Sequence, residues 1–288
     1  MLISVVIPVY LRTRWLEECL SALSLQDKPA DFELELSVVD DGSPNSGEIR
    51  QIAEKFKDRL NISYFYQDKL GPAAAKNLGI NKTNGEIVCF IDDDSICSKD
   101  WFLQIAKEFL KDASVGIVNG KFLSYYRDAG SLALLLEQSV HKTRKCWATC
   151  NIAYRRNVFG LVGLFDERYK LASWEDNDLG FRACWLGGIK HVYCPEAVVY
   201  HAHDRTFEEF REKGLRNGEG LAVFFRKFFL VHPALALGIT AFVIKDVYLA
   251  LHPNVFMLRR KTKEFLRFAW SVNSFKGWIK GLFQWKQR

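Results

Sequence analysis

The chain has 288 residues, 49% hydrophobic and 26% charged, which excludes a disordered or low-complexity polymer and allows one large folded unit or two small ones. Its formal charge of +6 is uneven: residues 226–288 hold 12 Lys+Arg against 2 Asp+Glu, whereas residues 1–225 hold 28 against 32. A weakly acidic body with a basic tail predicts a separate anionic partner for the tail, most simply a membrane surface, and gives no support to nucleic-acid binding.

Met1 opens directly onto an apolar run, so no signal peptide is expected. The seven cysteines have no paired spacing, and Cys146 with Cys150 lacks the second pair a zinc site needs. A reducing cytoplasm is the expected compartment. The β-branched run over 3–10 predicts a first strand that Pro8 brings to its end. Trp15, Leu16, Leu20 and Leu23 then recur at helical spacing over 14–25. A second strand over 32–39 runs into Asp40-Asp41-Gly42-Ser43-Pro44, followed by a helix over 47–56 and a third strand over 61–66. Gly71-Pro72 opens a small-residue helix that carries Lys76 and Asn77.

Next comes Glu86-Ile87-Val88-Cys89-Phe90-Ile91-Asp92-Asp93-Asp94-Ser95, a short apolar run that reads as a buried parallel strand ending in three carboxylates. Adjacent like charges repel, so the triad needs a cation close by. Strand alternation sends Asp92 and Asp94 to one side and Asp93 to the other. Hard oxygen ligands here suit Mg²⁺ or Mn²⁺, with phosphate oxygens completing the shell. The competing reading is an acidic turn capping a helix that starts near Asp100. Strand–helix alternation favours the site, because ligands of such sheets lie beyond the strands' carboxyl ends, where both acidic clusters fall. No Gly-x-Gly-x-x-Gly or Gly-Lys-Ser/Thr motif is present, so redox dinucleotide and P-loop readings lack a phosphate cradle.

The segments Ser4-Val5-Val6-Ile7-Pro8-Val9-Tyr10, Val38-Val39-Asp40-Asp41-Gly42-Ser43, Gly71 to Gly79, and Phe90-Ile91-Asp92-Asp93-Asp94 resemble the nucleotide-binding half of family 2 glycosyltransferases, in order. Asn151 to Arg156, Val162 to Glu167, and Trp174-Glu175-Asp176-Asn177-Asp178 resemble that family's acceptor-side segments and its Glu-Asp motif. The resemblance covers roughly residues 3–220. It implies an α/β GT-A fold, Rossmann-like, with a mostly parallel sheet and helices on both faces. A catalytic domain over 1–222 is expected, with its nucleotide-sugar half at about 1–98 and its acceptor half at about 99–222. A basic, aromatic-rich helical region follows over 223–288.

The resemblance further implies a metal-dependent, inverting transfer of sugar from a nucleotide sugar, most often a UDP-sugar, to a glycolipid or polysaccharide hydroxyl. Pro8, Val9 and Tyr10 would wall the base, which Asp41 would hydrogen-bond with Asp40 beside it. Asp93 would meet the ribose and Asp94 the metal, with Asp92 open to either role. Lys76 stands where an arginine is more usual; it keeps positive charge near the diphosphate without a bidentate fork, and Asn77 follows it in the same donor-side segment. Asp176 would be the general base and Glu175 its support, both also suited to a helix N-terminus. His201, ending a strand at Val198-Val199-Tyr200-His201, is a metal-ligand candidate ahead of His203, or a packing residue. Trp147 and Trp174 suit a sugar face or the core. The charged segment 206–220 reads as a flap or a solvated helix.

The apolar run over 228–244 is too short, interrupted at His232-Pro233, for the roughly 20 residues a spanning helix needs. Phe265, Phe268, Val272, Phe275, Ile279 and Leu282 form one helical face among basic residues, which predicts a peripheral helix on the inner face of the cell membrane, or one packing on the protein. Two other function classes compete. A non-catalytic nucleotide-sugar scaffold conflicts with intact Asp94 and Asp176, and a sugar nucleotidyltransferase wants a glycine in the loop Tyr10-Leu11-Arg12-Thr13-Arg14, which has none.

Overall fold

Three β-branched runs, Leu2–Val9 (β1), Glu33–Asp41 (β2) and Asn61–Gln67 (β3), pair in parallel, and Ile87–Phe90 (β4) joins β1 on its other side, also in parallel. The computed structural model describes residues 1–27, 31–125, 146–202, 207–229 and 272–282. Among these, Ser95–Cys97 (β5), Val115–Ser124 (β6), Ile152–Arg155 (β7) and Lys190–His201 (β8) complete one sheet in the order β3-β2-β1-β4-β7-β6-β8-β5. β7 runs antiparallel to both β4 and β6, and β5 antiparallel to β8, while β6 and β8 are parallel. The first half is the parallel sheet that strand–helix alternation predicts. The second is mixed because β7 enters antiparallel between β4 and β6 and β5 antiparallel beside β8.

Helices cover both faces. Thr13–Ser24 (α1) buries Leu16, Cys19, Leu20 and Leu23, and Trp101–Lys111 (α4) buries Trp101, Phe102, Ile105 and Phe109, at roughly 1.5–3 kcal/mol for each large side chain. Ser46–Lys55 (α2) packs in the same core. Pro72–Asn81 (α3) lies on the opposite core with Phe90, Tyr154 and Phe165. A Cβ at Gly79 would stand 2.3 Å from Val6 Cγ1, so the glycine lets α3 rest directly on β1 and brings Lys76 down to the sheet.

Arg156–Val162 (α5) and Glu175–Phe181 (α6) follow, and α6 continues into the π-helical turn Arg182–Leu186. Phe207–Phe229 (α7) packs Leu221, Phe224 and Phe228 with Tyr169 and Phe181 in a third core. The expected junction at 222–223 therefore falls inside one continuous helix. A helix over 272–282 (α8) lies on α7, with Phe275 and Trp278 against the third core. Phe265, Phe268, the run over 230–244 and His203 lie outside the described residues. Ile279 on the expected lipid-facing stripe is 37% exposed. No helix among the described residues is long and apolar enough to cross a membrane. All seven cysteines are free.

Candidate active site

β4 ends at Phe90, and Asp92 to Asp94 form a tight turn, closed by the Ser95 amide donating to Asp92 O at 3.1 Å, before β5 begins. α4 starts only at Trp101, with Asp100 as its N-cap, so the triad caps no helix. Register does the rest. Ser95 of β5 pairs with His201 at the end of β8, which carries the imidazole to the turn. His201 Nε2 stands 3.2 Å from Asp92 Oδ2 and 3.2 Å from Asp94 Oδ1. Asp94 is buried, and its Oδ1 has no well-formed hydrogen bond. Burial opposes the Asp94 charge, but His201 and Arg12 outweigh it and hold the carboxyl near pKa 2. Burial likewise opposes the imidazolium, while Asp94 and Asp92 raise His201 to about 10. Two carboxylates and an imidazole whose donor atoms all lie within 4.8 Å, one a buried oxygen without a proper partner, fit a divalent cation.

Asp93 turns the other way. Its carboxylate meets Arg12 Nη1 at 3.2 Å and the Tyr10 amide, and Arg12 also contacts Asp94. Burial is the main force that pushes Asp93 up to about 8; Arg12 opposes it, and Asp94 and Asp92 add to it. Besides the divalent ion expected for the triad, the chain itself supplies a cation, Arg12, which the motifs did not single out. Arg12 was the available signal, because it follows the carboxyl end of the strand next to β4. Leu11 before it holds a left-handed φ of 69°, fixed by its amide donating to Ser43 Oγ at 3.0 Å.

The other acidic pair is internally engaged. Asp40 is fully buried and accepts from the Ser43 amide at 2.9 Å and the Tyr64 hydroxyl at 2.8 Å. Asp41 Oδ1 accepts from Gln67 Nε2 at 2.7 Å and the Leu70 amide at 2.9 Å, and its Oδ2 from the Gly71 amide at 3.0 Å, which ties the start of α3 to the end of β2. Pro8 and Tyr10 are half-buried at the same edge, Val9 is buried, and Lys69 Nζ lies 4.0 Å from the centre of the Tyr10 ring. Asn77 uses both ends of its carboxamide on the acceptor-side segment: Nδ2 donates to Phe165 O and Glu167 at 2.9 Å each, and Oδ1 accepts from the Phe165 amide at 3.0 Å. That makes Asn77 a staple between α3 and the segment Phe165 to Glu167.

Glu175 and Asp176 open α6, preceded by Trp174 at φ 71°, an unusual conformation for a bulky residue. Lys76 Nζ donates to Glu175 Oε1 at 2.8 Å and Thr149 Oγ1 at 2.7 Å, in a pair whose side chains are 3% and 4% exposed. Burial and the neighbouring Glu175 push Asp176 up to about 7, against the pull of Lys76. Asp176 Oδ1 accepts from the amide and the side chain of Asn177 at 2.7 and 2.8 Å. Lys76 is thus bound to the first residue of the Glu-Asp pair. Trp147 packs over Gly180, where a Cβ would stand 2.0 Å from its ring, and Trp174 packs on Phe224 of the third core.

The family model for glycosyl transferase family 2 matches residues 4–163. The glycosyltransferase AglE of Haloferax volcanii is 28% identical over 228 residues, covering 76% of this chain and 72% of that protein. The poly(ribitol-phosphate) beta-N-acetylglucosaminyltransferase TarS of Staphylococcus aureus is 35% identical over 116 residues, 40% of this chain but only 18% of its own length. In structure, the mannosyltransferase PcManGT of Pyrobaculum calidifontis, solved with GDP-Man and Mn²⁺, superimposes with a TM-score of 0.69 at 20% identity over 98% of this chain and 87% of that one.

Proposed function

The chain belongs to glycosyl transferase family 2, and from that premise we propose that it is a metal-dependent, inverting glycosyltransferase that takes its sugar from a nucleotide sugar, a UDP-sugar by preference. The carrying observation is the convergence of Asp92, Asp94 and His201 at the carboxyl edge of the sheet. Support for the donor class comes from relatives of the fold: TarS was solved with UDP-GlcNAc at a TM-score of 0.56, and PcManGT with GDP-Man and Mn²⁺.

Asp94, His201 and Asp92 would hold Mg²⁺ or Mn²⁺, which supplies positive charge to the departing diphosphate. Arg12, half exposed beside Asp93 and Asp94, adds a fixed cation at the same edge. Pro8, Val9, Tyr10, Asp40 and Asp41 shape the base pocket, and Asp93 receives the ribose. Asp176 takes the proton of the incoming hydroxyl. Its pKa near 7 suits a base that must be ionised yet basic at neutral pH. Burial and Glu175 raise that value and Lys76 restrains it, and Lys76 keeps positive charge between the base and the donor side. No second carboxylate is assigned as nucleophile, which makes the reaction a direct displacement with inversion.

The acceptor is a glycolipid or polysaccharide, reached from the cytoplasmic side by a protein peripherally attached through its basic C-terminal region. The catalytic unit includes α7, so that region begins after Phe229. The test is an NMR assay of transfer from the UDP-sugar of α configuration to a lipid-linked acceptor. A product of β configuration, lost in Asp176→Asn, supports the proposal; retention of configuration contradicts it.

A further inference from the structure

α7 touches the Glu-Asp segment at two places. Near its middle, Asn217 Oδ1 accepts from the Trp174 indole N–H at 3.0 Å, and a Cβ at Gly220 would stand 2.5 Å from Ser173 O. Near its end, Lys227 Nζ binds Asp178 at 2.7 Å and Asp166 at 2.8 Å. Trp174 is the residue that holds the left-handed backbone immediately before Glu175 and Asp176. A strained conformation persists only where the surroundings over-determine it. The indole's bond to α7 supplies one of those constraints.

The same Asn217 carboxamide faces the C-terminal helix. Its Nδ2 donates to Ser274 Oγ of α8 at 3.0 Å. α8 approaches α7 so closely that a Cβ at Gly218 would meet Ser274 O at 1.8 Å, and one at Gly277 would meet Leu215 O at 1.9 Å. Lys280 Nζ adds a contact to Glu219 at 2.6 Å. One amide thus joins three elements, with its acceptor end on the strained residue beside the base and its donor end on the C-terminal helix. The indole N–H can only donate, so it selects the oxygen end of Asn217, and the Ser274 hydroxyl carried by α8 anchors the other end and fixes where the amide sits.

We propose that Asn217, anchored by Ser274 of the docked C-terminal helix, is a positioning residue that fixes Trp174 and through it the placement of Asp176. This rests on the reading of Asp176 as the base. It makes the C-terminal helix part of the catalytic apparatus, so that undocking α8 loosens the base without disturbing the Asp92–Asp94–His201 cluster.

The test is steady-state transfer by the full-length protein carrying Asn217→Leu, Asn217→Asp, Ser274→Ala, or Gly277→Ala. Misplacing a reacting group by an ångström costs up to about a hundredfold. Asn217→Leu and Gly277→Ala are therefore expected to lower kcat by about tenfold or more, with the donor KM within twofold. Asn217→Asp keeps the acceptor for the indole, and the Ser274 hydroxyl turns to donate, so most of kcat returns. Trp174→Phe is expected to match Asn217→Leu, and the double variant to be no worse than either. Unchanged kcat in Asn217→Leu and Gly277→Ala, or additive losses in the double variant, overturns the inference. An equal loss in Asn217→Asp and Asn217→Leu also overturns it, because no rescue then follows from the acceptor. Asp176→Asn separates the two claims: if it stays active, the assignment of the base fails; if it is inactive while Asn217→Leu is normal, only the relay fails.

Discussion

Lys76→Met isolates the electrostatics of the candidate base. Lys76 and Glu175 form a buried ion pair at 2.8 Å through Glu175 Oε1, and Glu175 Oε2 accepts no hydrogen bond. Breaking a buried pair by removing one partner costs about 3–5 kcal/mol, because the surviving charge is left without a counter-ion. At this chain length that corresponds to a fall in Tm of order 10 °C. The second effect is on Asp176, whose pKa near 7 is raised by burial and Glu175 and lowered by Lys76. Without the cation it must move above 7. The profile of kcat/KM against pH, at saturating Mn²⁺, reports the free enzyme's base and is expected to show an acid limb near 7 that shifts upward in Lys76→Met. Lys76→Arg keeps the charge, so its limb should stay in place, at the cost of crowding against Phe165, whose ring centre lies 5.2 Å from Nζ. An acid limb at the same pH in wild type and Lys76→Met, with no loss of Tm, refutes this picture of the Glu-Asp pair.

Other expected outcomes follow from the same geometry. The raised Asp176 pKa means that its contribution to stability is complete below the unfolded value of 3.8 and disappears as pH rises through about 7. Asp176→Asn should therefore flatten the stability profile between pH 4 and 8 and gain at most about 4 kcal/mol at pH 8, read by urea melts; equal pH slopes in both proteins count against the shift. Arg12→Ala leaves Asp93 and Asp94 without their shared cation, so donor affinity should drop by about tenfold or more while Mn²⁺ still binds, as read by titration calorimetry. Charge reversal at Arg259, Arg260 and Lys261 should reduce sedimentation with vesicles of anionic lipid; unchanged sedimentation contradicts membrane attachment through the tail.

Local signals carried much of the parallel part of the sheet and the helices between its strands. The β-branched runs, the helical spacing of Leu16, Leu20 and Leu23, and the Gly71-Pro72 opening all depend on neighbours within a few residues, and the elements they mark lie within one or two residues of the observed bounds. The pairing of Asp92 with Asp94 has a different origin from strand alternation, since the strand ends at Phe90 and a turn groups the two carboxylates with His201. What the sequence concealed is long-range. Arg12 reaches Asp93 across 81 positions, and Asn77 reaches Phe165 across 88. Lys76 finds Glu175 across 99 positions, a buried partner that no local pattern announces. The antiparallel β7 and the unbroken α7 across 222–223 were hidden for a similar reason: strand direction and helix continuation here are set by the packing of distant segments.

The most direct measurement is calorimetric titration of UDP-, GDP- and dTDP-sugars, with and without Mn²⁺, into the wild type and Asp94→Asn. Expected is binding of one nucleotide class that requires the metal and vanishes in Asp94→Asn, while the variant keeps its fold by circular dichroism. Failure of every nucleotide sugar to bind the folded wild type, or binding that is indifferent both to Mn²⁺ and to Asp94, contradicts a metal-dependent donor site at Asp92, Asp94 and His201.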